Sequence, residues 1–138
     1  MGTQIIVAGG YVGAGLYTAQ VSSDSRVAVT AEVDSTPSGF ETDAYAGMTN
    51  GSDKIYIPLV MRDWSLKNTD YNIMNIGINT ASVKIEYYKT GGTGSVPPPR
   101  TVYVSPQGFV SIDVRSEPGW VGSVYGTAVV SSADTNAL

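Results

Sequence analysis

Apolar and polar residues alternate in short runs along most of this chain, and no stretch holds a helical period. Residues 26–33 set Val27, Val29, Ala31 and Val33 on one face. Residues 82–88 set Val83, Ile85 and Tyr87 against Ser82, Lys84, Glu86 and Tyr88. Residues 109–114 do the same with Val110, Ile112 and Val114. Further short runs at 3–7, 16–22, 43–48, 69–76 and 100–104 are β-branched or aromatic and bounded by turn residues, as strands are. Residues 54–61 are almost continuously apolar, which predicts a strand covered on both faces; Pro58 cannot donate to a ladder, so the strand lies at a sheet edge or carries a bulge there.

The punctuation between these runs is turn chemistry. Residues 22–26 read as a hairpin connection, 34–39 as a loop, 49–53 as a turn and 62–68 as an irregular connection holding Trp64. The hairpin easiest to read joins 69–76 to 82–88 through residues 77–81. Residues 91–99 form a Gly-rich loop with a polyproline end, read as a tip open to variation, and Pro106-Gln107-Gly108 is a tight turn. With the closing strand at 120–132, about ten short strands result, the signature of an all-β, Ig-like or Greek-key β-sandwich.

One stretch occurs twice. Residues 10–29 align without a gap on residues 119–138 at an offset of 109, with nine identities in twenty pairs. They are Gly10, Val12, Gly13, Thr18, Ala19, Val21, Ser22, Ser23 and Ala28 with their partners, and Tyr11 answers Trp120 with another aromatic. The 138 residues thus read as a single sandwich domain whose first 33 residues are a partial copy of a repeat end. Two uses of the copy stand open. It could occupy a pseudo-equivalent place in the same domain, or complete the sheet of a neighbour and so build a head-to-tail polymer.

Composition narrows the functions. Charged residues make up 14%, low for a globular chain, so surface polarity rests on Ser, Thr, Asn and Gly, a pattern common in extracellular β-proteins. A net charge of −4 argues against nucleic-acid binding. Residues 24–53 hold six acids against Arg26 alone, a net of −5, while residues 1–23 are uncharged. Cysteine and histidine are absent, which removes disulfides, thiolate chemistry and the commonest general base and metal ligand. Glycines interrupt the apolar run 5–21, so neither a signal peptide nor a membrane span is read there, despite the Gly9-x-x-x-Gly13 spacing.

Residues 55–61, Ile-Tyr-Ile-Pro-Leu-Val-Met, resemble the "YLPLVM" segment of secreted and surface proteins of filamentous, often thermophilic, green non-sulfur bacteria. The order of the later motifs matches as well: Asn75-Ile-Gly77 before Val83-Lys-Ile-Glu-Tyr-Tyr88, then Ser105-Pro-Gln-Gly108, then Gly119-Trp-Val-Gly-Ser123 and Ala128-Val-Val-Ser-Ser132. The resemblance implies tandem, extracellular, Ig-like modules without assigned catalysis. This chain differs in phase, being cut across the repeat boundary.

The candidate sites follow from these readings. A structural subunit would assemble through Ile5, Val7, Tyr11 and Val12 at one end and Trp120, Val121, Val124 and Val129 at the other, with copies of itself as partners. The alternative is a carbohydrate-binding or adhesive module that stacks a polysaccharide on Trp64, beside the loops at 34–43 and 90–99. Glu32, Asp34, Glu41 and Asp43 bracket a loop that could hold calcium, but their spacing matches no defined calcium loop and reads as a solvated acidic face. Asn50-Gly51-Ser52 fits a glycosylation sequon and equally an Asn-Gly turn. A crosslink through Lys84 would need that lysine buried, and Asp113 with Glu117 is the carboxylate pair a glycosidase would use. No catalytic residue, cofactor or metal site is assigned; the expectation is a protein that is not an enzyme.

Overall fold

The computed structural model describes residues 30–34, 42–46 and 51–133. They are all-β, with no helix among the described residues. The strands are β1 (Thr30–Asp34), β2 (Thr42–Ala46), β3 (Lys54–Arg62), β4 (Asp70–Met74), β5 (Ala81–Gly92), β6 (Arg100–Val104), β7 (Phe109–Asp113) and β8 (Val124–Ser132). Each answers one of the predicted runs. The runs at 3–7 and 16–22, and the turn at 22–26, lie outside the described residues.

Every pairing is antiparallel. β1 pairs with β2, β3-β8-β5-β6 form a four-stranded sheet, and β4 pairs with β7. Val83, Ile85, Tyr87, Val124, Ala128 and Val130 from the four-stranded sheet share one buried core with Ile73 and Ile112 from the β4–β7 pair. The alternation read in the sequence holds for β5, whose inward residues are buried while their neighbours reach the outer face, and β8 alternates in the same way.

β3 resolves its proline in both ways open to it. It is the edge strand of its sheet, and its register with β8 slips between Ile57 and Val60. The extra residue lets Ile55, Ile57 and Val60 all pair on the inner side, opposite Val130, Ala128 and Gly126. The expectation of cover on both faces is corrected, because Tyr56 and Leu59 are exposed. An apolar run can be written by a bulge as well as by two-sided burial.

The clearest predicted hairpin is also corrected. β4 and β5 do not pair; β4 joins β7, and β5 lies between β6 and β8. The connection between them crosses from one sheet to the other around Asn75, which is fully buried. Asn75 Nδ2 donates to the carbonyls of Asn79 (2.7 Å) and Val104 (2.9 Å), and its Oδ1 accepts from Gly77 N–H (2.8 Å). A buried amide with three partners fixes that crossing as firmly as a ladder would.

The loop at 91–99 is not a free tip. Ser95 and Val121 exchange backbone hydrogen bonds (2.9 and 3.1 Å), and Gly94 and Pro97 are buried. Gly119 has φ +91°, and a Cβ there would come within 2.8 Å of Pro97. The polyproline segment is thus packed against the approach to β8.

Candidate functional site: a buried tyrosine–glutamate relay and an aromatic sheet face

The first cluster lies inside the molecule. Glu117, in the turn between β7 and β8, has a side chain only 2% exposed. Tyr87 Oη donates to Glu117 Oε2 at 2.6 Å, and Arg100 Nε donates to Glu117 Oε1. Tyr71 Oη lies 2.6 Å from Tyr87 Oη. Because Tyr87 gives its single proton to the carboxylate, Tyr71 is the donor of that bond. Trp120 meets Tyr87 edge-on, with centroids 4.8 Å apart at 64°. β4, β5, the start of β6 and the lead-in to β8 are joined through this one chain of polar contacts.

Burial holds the Tyr71 phenol up at about 12, the Tyr87 bond partly offsetting it and the Glu117 charge adding to it. Tyr87 is held higher still, by burial first and by its bonds to Glu117 and Tyr71 next. These phenols are therefore hydrogen-bonding groups at any ordinary pH. Asp113 and Glu117, the two acids considered for glycoside cleavage, are employed separately. Asp113 is exposed and its Oδ1 accepts from Arg115 N–H (2.8 Å), while Oδ2 accepts from Ser116 Oγ–H (2.6 Å). Those bonds, led by Ser116, hold the Asp113 carboxyl below its usual range. Facing it across the ladder, Asp70 is raised, by desolvation and then by the Asp113 charge.

The second cluster is the outer face of the four-stranded sheet. Tyr56 on β3 pairs with Val129, Tyr88 on β5 pairs with Thr127, and Tyr125 is flanked by Met61 and Gly91. Tyr56 is 69% exposed and Tyr88 53%. Trp64 is 36% exposed and its ring tilts against Tyr125, with centroids 4.7 Å apart. Lys84 and Glu86 lie on the same face in an exposed ion pair of 2.8 Å, so Lys84 is not the buried lysine a crosslink requires.

The connection at 62–68, expected to be irregular, is a tight hairpin. Trp64 and Lys67 exchange backbone hydrogen bonds (3.1 and 2.9 Å) around Ser65 and Leu66, whose φ angles are +51° and +65°. Asp63 is left-handed too, at +48°. Asp63 N–H donates to Asn68 Oδ1 (2.9 Å), Ser123 Oγ to Asp63 O (2.9 Å) and Arg62 Nη1 to Gly122 O (2.9 Å).

The residues assigned to assembly fall in three places. Ile5, Val7, Tyr11 and Val12 lie outside the described residues. Trp120 and Val124 are buried in their own core and are not free to touch another chain. Val121 is exposed and Val129 half-buried on the outer face. Of the acidic loop, the β1–β2 register sets Asp34 opposite Thr42 and Asp43 opposite Val33, and Glu41 lies outside the described residues. No group of three or more potential metal ligands converges among the described residues. Ser52 Oγ donates to Lys54 O (2.8 Å) and accepts from Lys54 N–H (3.2 Å), as in a Ser turn; Asn50 lies outside the described residues. Among the described residues no helix is long and apolar enough to cross a membrane.

Sequence reasoning missed the Tyr71–Tyr87–Glu117–Arg100 relay. Tyr87 was placed inward by its alternation, but nothing in the spacing of Glu117 and Arg100 announces that they meet. It also treated Trp64 alone, since Tyr56, Tyr88 and Tyr125 share a face only once β3, β5 and β8 are adjacent. Comparison with known proteins adds no further constraint: no family model, no curated protein and no solved structure matches the chain.

Proposed function

We propose that this protein is a non-catalytic structural module of an extracellular assembly, an Ig-like β-sandwich that associates head-to-tail with copies of itself through its N-terminal segment. The observation that carries the reading is the second copy of the β8 pattern. β8 is a central strand, clasped by β3 and β5. Gly119 and Gly122 lead into it at φ +91° and +64°, and both are glycine again at Gly10 and Gly13. The buried positions Ala128 and Val130 are repeated as Ala19 and Val21. A second segment with this strand pattern needs a sheet to pair with, and a neighbour can supply one at its edge.

Strand order supports the Ig-like reading. β4–β7 and β8–β5 correspond to the B–E and F–C pairs of an Ig sandwich, and β6 follows β5 as a C′ strand does. β3 occupies the flank of β8 that an Ig domain gives to its last strand. The fit of the copy is also selective. A Cβ on Gly126 would lie 2.1 Å from the Tyr88 carbonyl oxygen, and the aligned residue in the copy is Tyr17. On this reading the N-terminal segment would add at a sheet edge of a neighbour and not take the place of β8 there. The engaged states of Glu117 and Asp113 favour the non-catalytic reading.

Negative-stain microscopy and light scattering of the full chain, beside a variant lacking residues 1–12, test the proposal. Regular polymers from the full chain, and monomers or amorphous aggregate from the variant, are expected. A truncated chain that polymerises normally, or a full chain that stays monomeric, overturns it.

A further inference from the structure

The outer face of the four-stranded sheet presents rings where an uncovered sheet usually presents small polar or charged side chains. Trp64, Tyr125 and Tyr88 step diagonally from the end of β3 over β8 to β5, and Tyr56 stands on β3 across β8 from that line. Neighbouring strands are about 4.8 Å apart and same-face residues of one strand about 7 Å apart.

Two of these rings are held in place before any ligand arrives. Gly91 leaves room for Tyr125: a Cβ there would lie 2.6 Å from the Tyr125 ring, so the ring lies across bare backbone of β5. Trp64 stands at the base of a turn whose left-handed Ser65 and Leu66 would be far more stable as Asn-Gly. Strain of this kind persists where surrounding contacts enforce it, and it concentrates at binding and catalytic sites. Here the enforcing contacts, from Asn68, Ser123 and Gly122, all act on the two residues that precede Trp64.

The charges nearest the middle of the rings are paired, while Lys54 and Lys67, at opposite ends of the face, stand in no ion pair among the described residues. Lys84 pairs with Glu86 at 2.8 Å and Arg62 with Asp63 at 3.3 Å. A single-stranded nucleic acid would also stack on aromatic rings, but it needs a continuous basic groove for its phosphates, and here Lys84 and Arg62 are each paired with an acid while Lys54 and Lys67 lie at opposite ends of the face. A face of rings with paired charges at its middle and no basic groove matches a neutral, extended ligand with apolar C–H faces and hydroxyl edges. Tyrosine hydroxyls, Thr127, Ser131 and Thr101 supply hydrogen-bonding groups on the same face.

We propose that this face binds a neutral polysaccharide chain, its sugar rings stacking on Trp64, Tyr125 and Tyr88, with Tyr56 flanking them across β8. The site stands apart from the assembly reading, which rests on the N-terminal segment.

Affinity electrophoresis of the full chain in gels containing a soluble β-glucan, a xylan, a mannan or an α-glucan tests it, with tryptophan emission followed alongside. At least one polymer should retard the protein and shift its emission, since Trp120 is buried and Trp64 reports the face. Trp64→Ala and Tyr88→Ala should each weaken retardation about tenfold, the loss expected for one stacked ring. Tyr103→Ala, on the same face but beyond the Lys84–Thr101 pair, should leave it unchanged. The Tyr56→Ala/Tyr88→Ala double variant alters only exposed rings, so it keeps the test intact if Trp64→Ala misfolds. Three results overturn the proposal: no retardation by any of the four polymers, retardation untouched in the double variant, or loss of self-association in the double variant without polysaccharide binding. The last would make the face a contact between copies.

Discussion

Tyr87 Oη gives its proton to Glu117 Oε2 at 2.6 Å, and through that bond the middle of β5 holds the turn from which β8 departs. Tyr87→Phe keeps the ring against Trp120 but removes both hydroxyl contacts. Glu117 then keeps Arg100 alone, and Tyr71 loses its acceptor. A loss of about 1–3 kcal/mol is expected, read as a lower urea midpoint at unchanged slope. A stability equal to wild type would show that the relay is incidental.

The same relay has an alkaline signature. Folding raises the phenol of Tyr71 to about 12 and that of Tyr87 further, chiefly by burial. A phenol with a raised folded-state pKa stabilises the fold fully below its unfolded value, near 10, and loses that contribution as pH climbs beyond it. Ultraviolet titration should show Tyr71 and Tyr87 ionising late, together with unfolding. Tyr87→Phe should remove one of them.

Asp70 and Asp113 face each other across the β4–β7 ladder, and the repulsion adds to desolvation in raising Asp70. A carboxylate with a raised folded-state pKa weakens the fold when ionised, so Asp70 works against stability above its unfolded range and not below it. Asp70→Asn should therefore stabilise the protein at pH 7, by less than about 1 kcal/mol at so exposed a site, read as a higher melting temperature. The gain should vanish towards pH 3. A gain that persists in acid would assign the effect to something other than charge.

Leu66 is 97% exposed at φ +65°, where a leucine packs against nothing and strains its backbone. Leu66→Gly should stabilise the protein by about 1 kcal/mol, measured by thermal melting. Destabilisation would mean that Leu66 makes a contact in solution that repays its strain.

Gly126 faces the bulge of β5 between Lys89 and Gly91. Even alanine would press its methyl into the Tyr88 carbonyl at 2.1 Å. Gly126→Ala should cost more than about 3 kcal/mol, because the obstacle is backbone. Circular dichroism and denaturant titration would show whether β5 can yield instead.

How much of this could be read beforehand depended on range. Pro58 announced both an edge and a bulge because one missing N–H has only those remedies. The inward sets Val83/Ile85/Tyr87 and Ile112/Val114 followed from alternation alone. The supposed hairpin at 69–88 failed because turn residues fit a short sheet-to-sheet crossing as well as a hairpin. Only the burial of Asn75 under Val104 and Asn79 decides between them. Trp120 and Val124 were assigned to an interface because apolarity looks the same whether it is buried within one chain or between two.

The sequence by itself determined the strands from β1 to β8, the inward faces of β5 and β7, the repeat at an offset of 109 and the thin inventory of catalytic groups, since each is written in local spacing and residue type. Tertiary structure alone decided which strands pair, that Tyr71, Tyr87, Arg100 and Glu117 meet, that four rings share one open face, and that Gly126 closes the β8 seat to tyrosine. Those are contacts between residues far apart in the chain, as Lys54 and Ser131 are. Nothing local in the chain encodes such a contact; it exists only when two sheets close on a common core.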